Sequence, residues 1–248
     1  MSTYRDRLVA HRGHAAEQPE NTLPAFRDAV ALGATALETD VQLTRDGIPV
    51  LFHDRDLSRL CAAEGPVHDF TLAELADHRV RHPRGGAAAP IPTLSAFVQW
   101  LAEVPDVMAF IELKRISLGH FGIGTVLDAV LPQLDALAGR CVIISYDIAA
   151  LQQVLKRSTW PVGAIFDDWA DRLRPDVQSL NAQWWLCDID TLPPTGPIEH
   201  PGRQLAVYEC DDPAQARDVL ARGVDRVETF AIGEMLRMLE GEGLGTRD

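Results

Sequence analysis

The chain has 248 residues, 46% of them apolar and 24% charged, with a formal net charge of −13. This balance suits one globular domain of barrel size and argues against a partner recognised through a basic surface, such as nucleic acid or anionic lipid. No apolar run approaches the roughly 20 residues that span a bilayer, and the charged start MSTYRDRLVAHRG is unlike a signal peptide, so the expectation is a cytoplasmic protein without stable membrane association. Its four cysteines (Cys61, Cys141, Cys187, Cys210) are too scattered for a zinc or redox motif and read as reduced thiols.

The first short apolar run, LVAH (8–11), ends in His11-Arg12-Gly13. Helical spacing follows over Thr22–Leu32, with Asn21 or Thr22 placed to cap it and Pro24 suited to its first turn. The second run, ALETDV (36–41), alternates: Glu38, Asp40 and Gln42 share one face, and Leu37, Thr39, Val41 and Leu43 share the other. Asp46-Gly47 signals a two-residue hairpin, which pairs Arg45 with Ile48, Leu43 with Val50, Val41 with Phe52 and Asp40 with His53. His53 is then expected beside Asp40 and near Glu38. Residues 55–92 read as a small insertion, with a helical pattern at Leu72–His78 and a loop composition in RHPRGGAAAPIP.

Beyond it, helical patterns at Leu94–Glu103, Gly124–Leu137, Ile148–Lys156, Pro213–Arg222 and Glu234–Leu239 alternate with apolar runs. These runs are MAFIEL (108–113), CVIIS (141–145), PVGAIF (161–166), QWWLCD (183–188), QLAVYE (204–209) and DRVET (225–229). TLPPTGPIEHPG is too proline-rich for a good helix, so one unit looks degenerate. Eight strands with helices between most of them predict an α/β protein, a single (β/α)₈ TIM barrel occupying 1–248.

In such barrels the chemistry sits at the C-terminal ends of the strands. There the first three strands bring His11 and Arg12, Glu38 and Asp40, and Glu112 and Lys114, with His53 on the hairpin. Three crowded carboxylates repel one another unless a cation compensates, and oxygen ligands favour Mg²⁺ or Ca²⁺ over zinc. Neutral histidines could also bind a metal, but histidines spared for acid–base work fit better with an all-oxygen site.

AHRGHAAEQPENTLPAF, ALETDVQLTRDGIPVLFHD and IELK together resemble the signature segments of the glycerophosphodiester phosphodiesterase family, in order and spacing, over Ala10–Asp54 and again at Glu112–Lys114. The short insertion resembles the compact bacterial intracellular members. The resemblance implies one divalent cation on Glu38, Asp40 and Glu112, an acid–base pair of His11 and His53, and phosphate contacts from Arg12 and Lys114. It also implies a small phosphodiester substrate and sn-glycerol 3-phosphate as product. The C-terminal part departs from the family pattern: Tyr208-Glu209-Cys210-Asp211 stands where Trp-x-x-Asn is usual, and Thr229-Phe230 where Thr-Asp is usual. Those changes bear on the pocket wall.

The remaining candidates read structurally. Pro19, Glu20 and Asn21 are expected to shape the loop behind His11, and His14 to brace that loop or be solvated. His68, His78, His82, His120 and His200 have no ligand spacing and are expected on the surface. Trp184 and Trp185 must point to opposite sides, one of them toward helices. Two rival functions stand beside this one. The first is a phospholipase D-like enzyme for lysolipids, which shares the metal and histidine set but needs an apolar rim, for which 55–92 has room, or a basic interface. The second is a non-catalytic barrel that binds phosphorylated metabolites or a protein partner; its mark would be a missing histidine or carboxylate, and all five are present.

Overall fold

The computed structural model describes residues 4–137 and 139–241. Eight parallel strands close into a barrel: β1 (Leu8–Ala10), β2 (Ala36–Leu43), then, after the insertion, β6 (Met108–Leu113), β7 (Cys141–Ser145), β8 (Val162–Phe166), β9 (Trp184–Asp188), β10 (Gln204–Tyr208) and β11 (Arg226–Thr229). Neighbours pair in the order β1-β11-β10-β9-β8-β7-β6-β2, and β1 meets β2 through Ala10 and Leu37 to shut the ring. The (β/α)₈ barrel expected from the alternation is therefore present. Of the domain expected over 1–248, residues 1–3, 138 and 242–248 lie outside the described residues.

Period-two alternation decides which side chains fill the ring. Val9, Phe110, Val142, Ile144, Ile165, Trp184, Leu186 and Ala206 form the inner core, while Leu37, Val41, Leu43, Ile111 and Ile143 pack outward under the helices. The tryptophans divide between these layers. Trp184 enters the barrel edge-on to Phe110, and Trp185 lies outside against Phe166 and Trp169. Gly163 on the adjacent strand keeps this inner layer close-packed: a Cβ there would lie 2.8 Å from Leu186 Cδ1, 2.9 Å from Ile144 Cγ2 and 3.1 Å from Trp184 Cβ.

The outer layer comprises α1 (Leu23–Ala31), α3 (Leu94–Ala102), α4 (Arg115–Phe121), α5 (Ile123–Leu134), α6 (Ile148–Arg157), α7 (Pro175–Ser179), α8 (Pro213–Ala221) and α9 (Ile232–Gly241), and α2 (Leu72–Leu75) belongs to the insertion. Two short helices were not expected, α4 and α7. In α4 the sequence RISLGHF has too few apolar positions for a clear period, and it is anchored by Ser117, whose hydroxyl accepts from Leu43 N–H. The proline-rich stretch after β9 forms no α-helix, as its composition foretold.

The hairpin after β2 differs from expectation by one residue. Strand β3 (Pro49–Leu51) pairs Val41 with Leu51, Gln42 with Val50 and Leu43 with Pro49. Thr44 N–H donates to Ile48 O and Gly47 N–H to Thr44 O, so the loop holds three residues, Arg45-Asp46-Gly47, with Gly47 at φ 77°. Three-residue loops of this kind put a turn before a left-handed glycine, and Asp-Gly serves them as well as it serves two-residue loops. A one-residue slip would turn His53 to the wrong face if the strand continued. The strand instead stops at Leu51, and Gln42 Nε2 gathers the next carbonyls, 2.8 Å from Phe52 O and 2.6 Å from Asp54 O. The chain curls, and His53 returns to the mouth.

Residues 55–92 carry α2, begun by a Thr71–Glu74 capping box, and a two-stranded ribbon of β4 (Arg79–Val80) with β5 (Ala89–Pro90). Phe52, Leu57, Leu60, Val67, Leu75 and Val80 give it a small apolar cluster of its own, continuous with Val50 of β3.

Candidate active site at the barrel mouth

Strand ends carry the site. Glu38 and Asp40 point inward from β2 and Glu112 from the end of β6, where Asp40 and Glu112 are register partners. One oxygen from each of the three carboxyls lies within 4.8 Å of the others, and all three side chains are buried. Lys114 reaches back into this group, its Nζ 3.1 Å from Asp40 Oδ1 and 3.0 Å from Glu112 Oε1. His11 follows β1, with Nε2 3.5 Å from Glu38 Oε2 and 3.9 Å from Glu228 Oε2. Arg12 sits at φ 56°, and this turn of the backbone goes with an Arg12 N–H that donates to Glu38 Oε2 at 3.2 Å. Its guanidinium reaches Glu20 at 3.0 Å and lies 3.4 Å from Asp40. His11, Arg12, Glu38, His53, Glu112 and Lys114 line one cavity; Asp40 lies beneath them, fully buried. All seven residues singled out in the sequence thus gather in one place.

The close turn at His11-Arg12-Gly13 depends on Gly13, at φ 81°, where a Cβ would lie 2.7 Å from the Ala25 carbonyl carbon. Asn21 braces the turn from behind. It is buried at φ 56°; its Nδ2 donates to Asp40 Oδ2 at 2.8 Å, and its Oδ1 accepts from Thr39 Oγ1 at 2.7 Å and Asp40 N at 3.2 Å. Neither Asn21 nor Thr22 therefore caps α1 by its side chain. Thr22 occupies the cap position, but its hydroxyl donates to Pro19 O. His14 is a brace, buried with Nδ1 2.6 Å from Asp28 Oδ2. One surface expectation fails: His68 is buried, stacked on His120 at 4.0 Å between ring centroids, because the insertion folds its 3₁₀ turn inward against β2 and α4.

The electrostatics follow from crowding. Burial and then the neighbouring Asp40 raise the pKa of Glu38 well above the carboxylate range. Glu112 is pushed up to about 7, burial outweighing the pull of Lys114. Burial acts the same way on Asp40, but Lys114 and Arg12 outweigh it and hold that carboxyl ionised far below its usual value. His11 is lowered well below the ordinary imidazole value by burial and by Arg12. His53 has a different partner: Nδ1 lies 2.8 Å from Asp54 Oδ1, and a carboxylate can only accept, so Nδ1 carries the proton and Nε2 is the free nitrogen.

Several neighbours had no warning in the motifs. Glu228, buried on β11, is pushed up to about 8 by burial and by Glu112. Alternation in DRVET sets Glu228 opposite Val227, and that inward acid was the available signal. Glu209 stands 3.6 Å from His11 Nδ1, and Tyr146 and Tyr208 close the far wall with their hydroxyls 2.9 Å apart. Phe230 stacks on His11 at 4.7 Å with the planes 10° apart, and Asp211 pins that corner by accepting from Thr229 Oγ1 and Phe230 N. The segments that depart from the family pattern thus build the wall around His11.

The donor set suits a hard cation. It is all oxygen, it is anionic, and the buried Glu38 Oε1 has no hydrogen-bond partner. A closed (β/α)₈ barrel with carboxylates, histidines and two cations at the C-terminal mouth has the layout of a barrel enzyme. More narrowly, the chain belongs to the glycerophosphoryl diester phosphodiesterase family, which it matches over residues 11–232. It is 32% identical over 182 residues to the glycerophosphodiester phosphodiesterase of Caldanaerobacter subterraneus, covering 70% of this chain and 74% of that one. Among solved structures, an Oleispira antarctica phosphodiesterase in complex with the product sn-glycerol-3-phosphate superposes with a TM-score of 0.77 at 21% identity, over 94% of this chain and 96% of that one. The glycerophosphodiester phosphodiesterase of Thermotoga maritima gives 0.72 at 23% identity, over 93% and 97%. At these identities the structures speak for the fold.

Proposed function

We propose that this enzyme hydrolyses glycerophosphodiesters to sn-glycerol 3-phosphate and an alcohol, with Glu38, Asp40 and Glu112 holding one divalent cation, Mg²⁺ or Ca²⁺. The carrying observation is the convergence of three buried carboxylates, two histidines, Arg12 and Lys114 on a single mouth. When bound, the cation supplies neutralisation of charge that grows on the phosphate oxygens. Arg12 presents a planar fork to the phosphate and Lys114 a point charge, the latter released from the Asp40–Glu112 pair it now bridges.

His11, whose pKa is lowered, is neutral at pH 7 and suited to accept a proton from the nucleophile, either water or the neighbouring glycerol hydroxyl, the latter giving a cyclic phosphate that water then opens. His53 is suited to deliver one to the leaving alcohol, since Asp54 holds its ring through Nδ1 and leaves Nε2 for the transfer. The chain acts in this reading as one domain over 1–248, cytoplasmic, on a small diester. Lysolipids fit less well: among the described residues the exposed large apolar side chains are Leu32, Ile48 and Leu173, none within the insertion. No described helix is long and apolar enough to cross a membrane.

The test is glycerol 3-phosphate release from glycerophosphocholine and glycerophosphoethanolamine, in EDTA and then with Mg²⁺, Ca²⁺ or Mn²⁺. Release should require a cation and fall about 10²–10⁴-fold in His53→Ala. Undiminished release in EDTA would refute the metal role, and activity on lysophosphatidylcholine alone would refute the substrate.

A further inference from the structure

His53 and Arg12 lie on different loops, yet both are held through the same side chain. His53 Nδ1 donates to Asp54, and Arg12 donates to Glu20 at 3.0 Å. Those two carboxylates converge on Arg59 of the insertion. Its Nε and Nη2 lie 2.5 and 2.9 Å from the two Asp54 oxygens, and its Nη1 and Nη2 lie 2.9 and 2.7 Å from the two Glu20 oxygens. A planar guanidinium suits this double fork, and an ammonium could not reproduce it. Leu57 and Leu60, on either side of Arg59, are anchored in the small apolar cluster of the insertion, so the fork stands on a fixed base. Arg59 lines no part of the cavity and is about half exposed.

We propose that Arg59 is a positioning residue that sets two site residues at once, the tautomer and ring orientation of His53 through Asp54, and the reach of Arg12 through Glu20. The insertion is thereby a working part of the site. Without Arg59, Asp54 and Glu20 lose the cation they share; Asp54 then loosens its hold on His53, and Glu20, left with Arg12 alone, no longer fixes the Arg12 fork. This inference rests on the function proposed above for the sense of those two residues. It does not rest on that function for the contact itself.

The experiment compares wild type, Arg59→Gln, Arg59→Lys and Asp54→Asn, with folding checked by circular dichroism and melting. For glycerophosphodiester turnover, Arg59→Gln should lower kcat about 10–100-fold, the usual effect of losing a group that orients a site residue, and raise KM severalfold through Arg12. Arg59→Lys should fall between. The kcat loss should largely vanish when Arg59→Gln is added to Asp54→Asn, because the two act through one contact. Values of kcat and KM within twofold of wild type in Arg59→Gln, or fully additive losses in the double variant, would overturn the proposal.

A second readout needs no substrate. Ring ¹⁵N shifts at pH 8, assigned with His53→Gln, should report one Nδ1–H tautomer for His53 in wild type and an averaged one in Arg59→Gln. An unchanged tautomer would overturn the link to His53. If wild type turns over no diester at all, the functional reading fails, and the tautomer comparison still decides the positioning role.

Discussion

Asn21 shows how much one buried side chain can carry. Its amide donates to Asp40 and accepts from both Thr39 and the Asp40 backbone, from a left-handed conformation that asparagine tolerates better than most residues. Asn21→Ala leaves a buried hydroxyl and a carboxylate short of partners and should cost about 1–3 kcal/mol, read from the urea midpoint. Metal affinity should fall with it, since Asp40 loses the bond that orients it. The motif PENT marked Asn21, and cap chemistry gave a reasonable local account of it. That account missed its target because Asp40 lies nineteen residues away in sequence and only the packed barrel brings the two together.

At the scale of elements, the turn after β1 and the hairpin after β2 place the working groups. A Cβ on Gly13 would meet the Ala25 backbone, and φ 81° disfavours any other residue. Gly13→Ala should therefore destabilise the fold by about 1–3 kcal/mol, with activity falling further than stability because His11 and Arg12 shift with the turn. Urea unfolding beside turnover separates the two effects. The hairpin teaches a related lesson. Asp-Gly predicted a tight turn correctly, but two-residue and three-residue loops share that dipeptide, and the choice between them moves the register by one. His53 reached its expected place by another route, through the early end of β3 and the hold of Gln42 on the carbonyls that follow.

For the whole molecule, the concentration of buried acid at one end of the barrel links stability to pH and to metal. Glu228 has a folded pKa of about 8 against about 4.3 for an unfolded glutamate, so the folded state binds the proton more tightly. Its contribution is fully present below about pH 4.3 and is lost as pH rises toward 8. In EDTA, the Tm of Glu228→Gln relative to wild type should thus climb between pH 5 and pH 8; a flat difference would contradict the burial of an ionisable acid there. A cation that binds only the folded state at 100 times its Kd adds about 2.7 kcal/mol. For a chain of this size that is a rise in Tm of roughly 5–10 °C. Substitution of Glu38 or Glu112 by Gln should reduce that rise, as melting curves with and without Mg²⁺ or Ca²⁺ would show.

Local sequence was enough for the eight strands, most of the helices, the lack of an α-helix in the proline-rich stretch after β9, and the seven residues that meet at the mouth. Each of these is written locally, as alternation along a strand, helical spacing, proline content, or a motif at a strand's C-terminal end. Packing of the closed barrel was needed to settle the hairpin register, the inward placing of Trp184, the burial of His68 and the wall of Tyr146, Tyr208, Glu209 and Phe230. It also joined His53 to Arg12 through Arg59, which stands thirty-nine residues from Glu20. Those features depend on distances between segments remote in the chain, and such distances are set when the barrel closes and its layers pack.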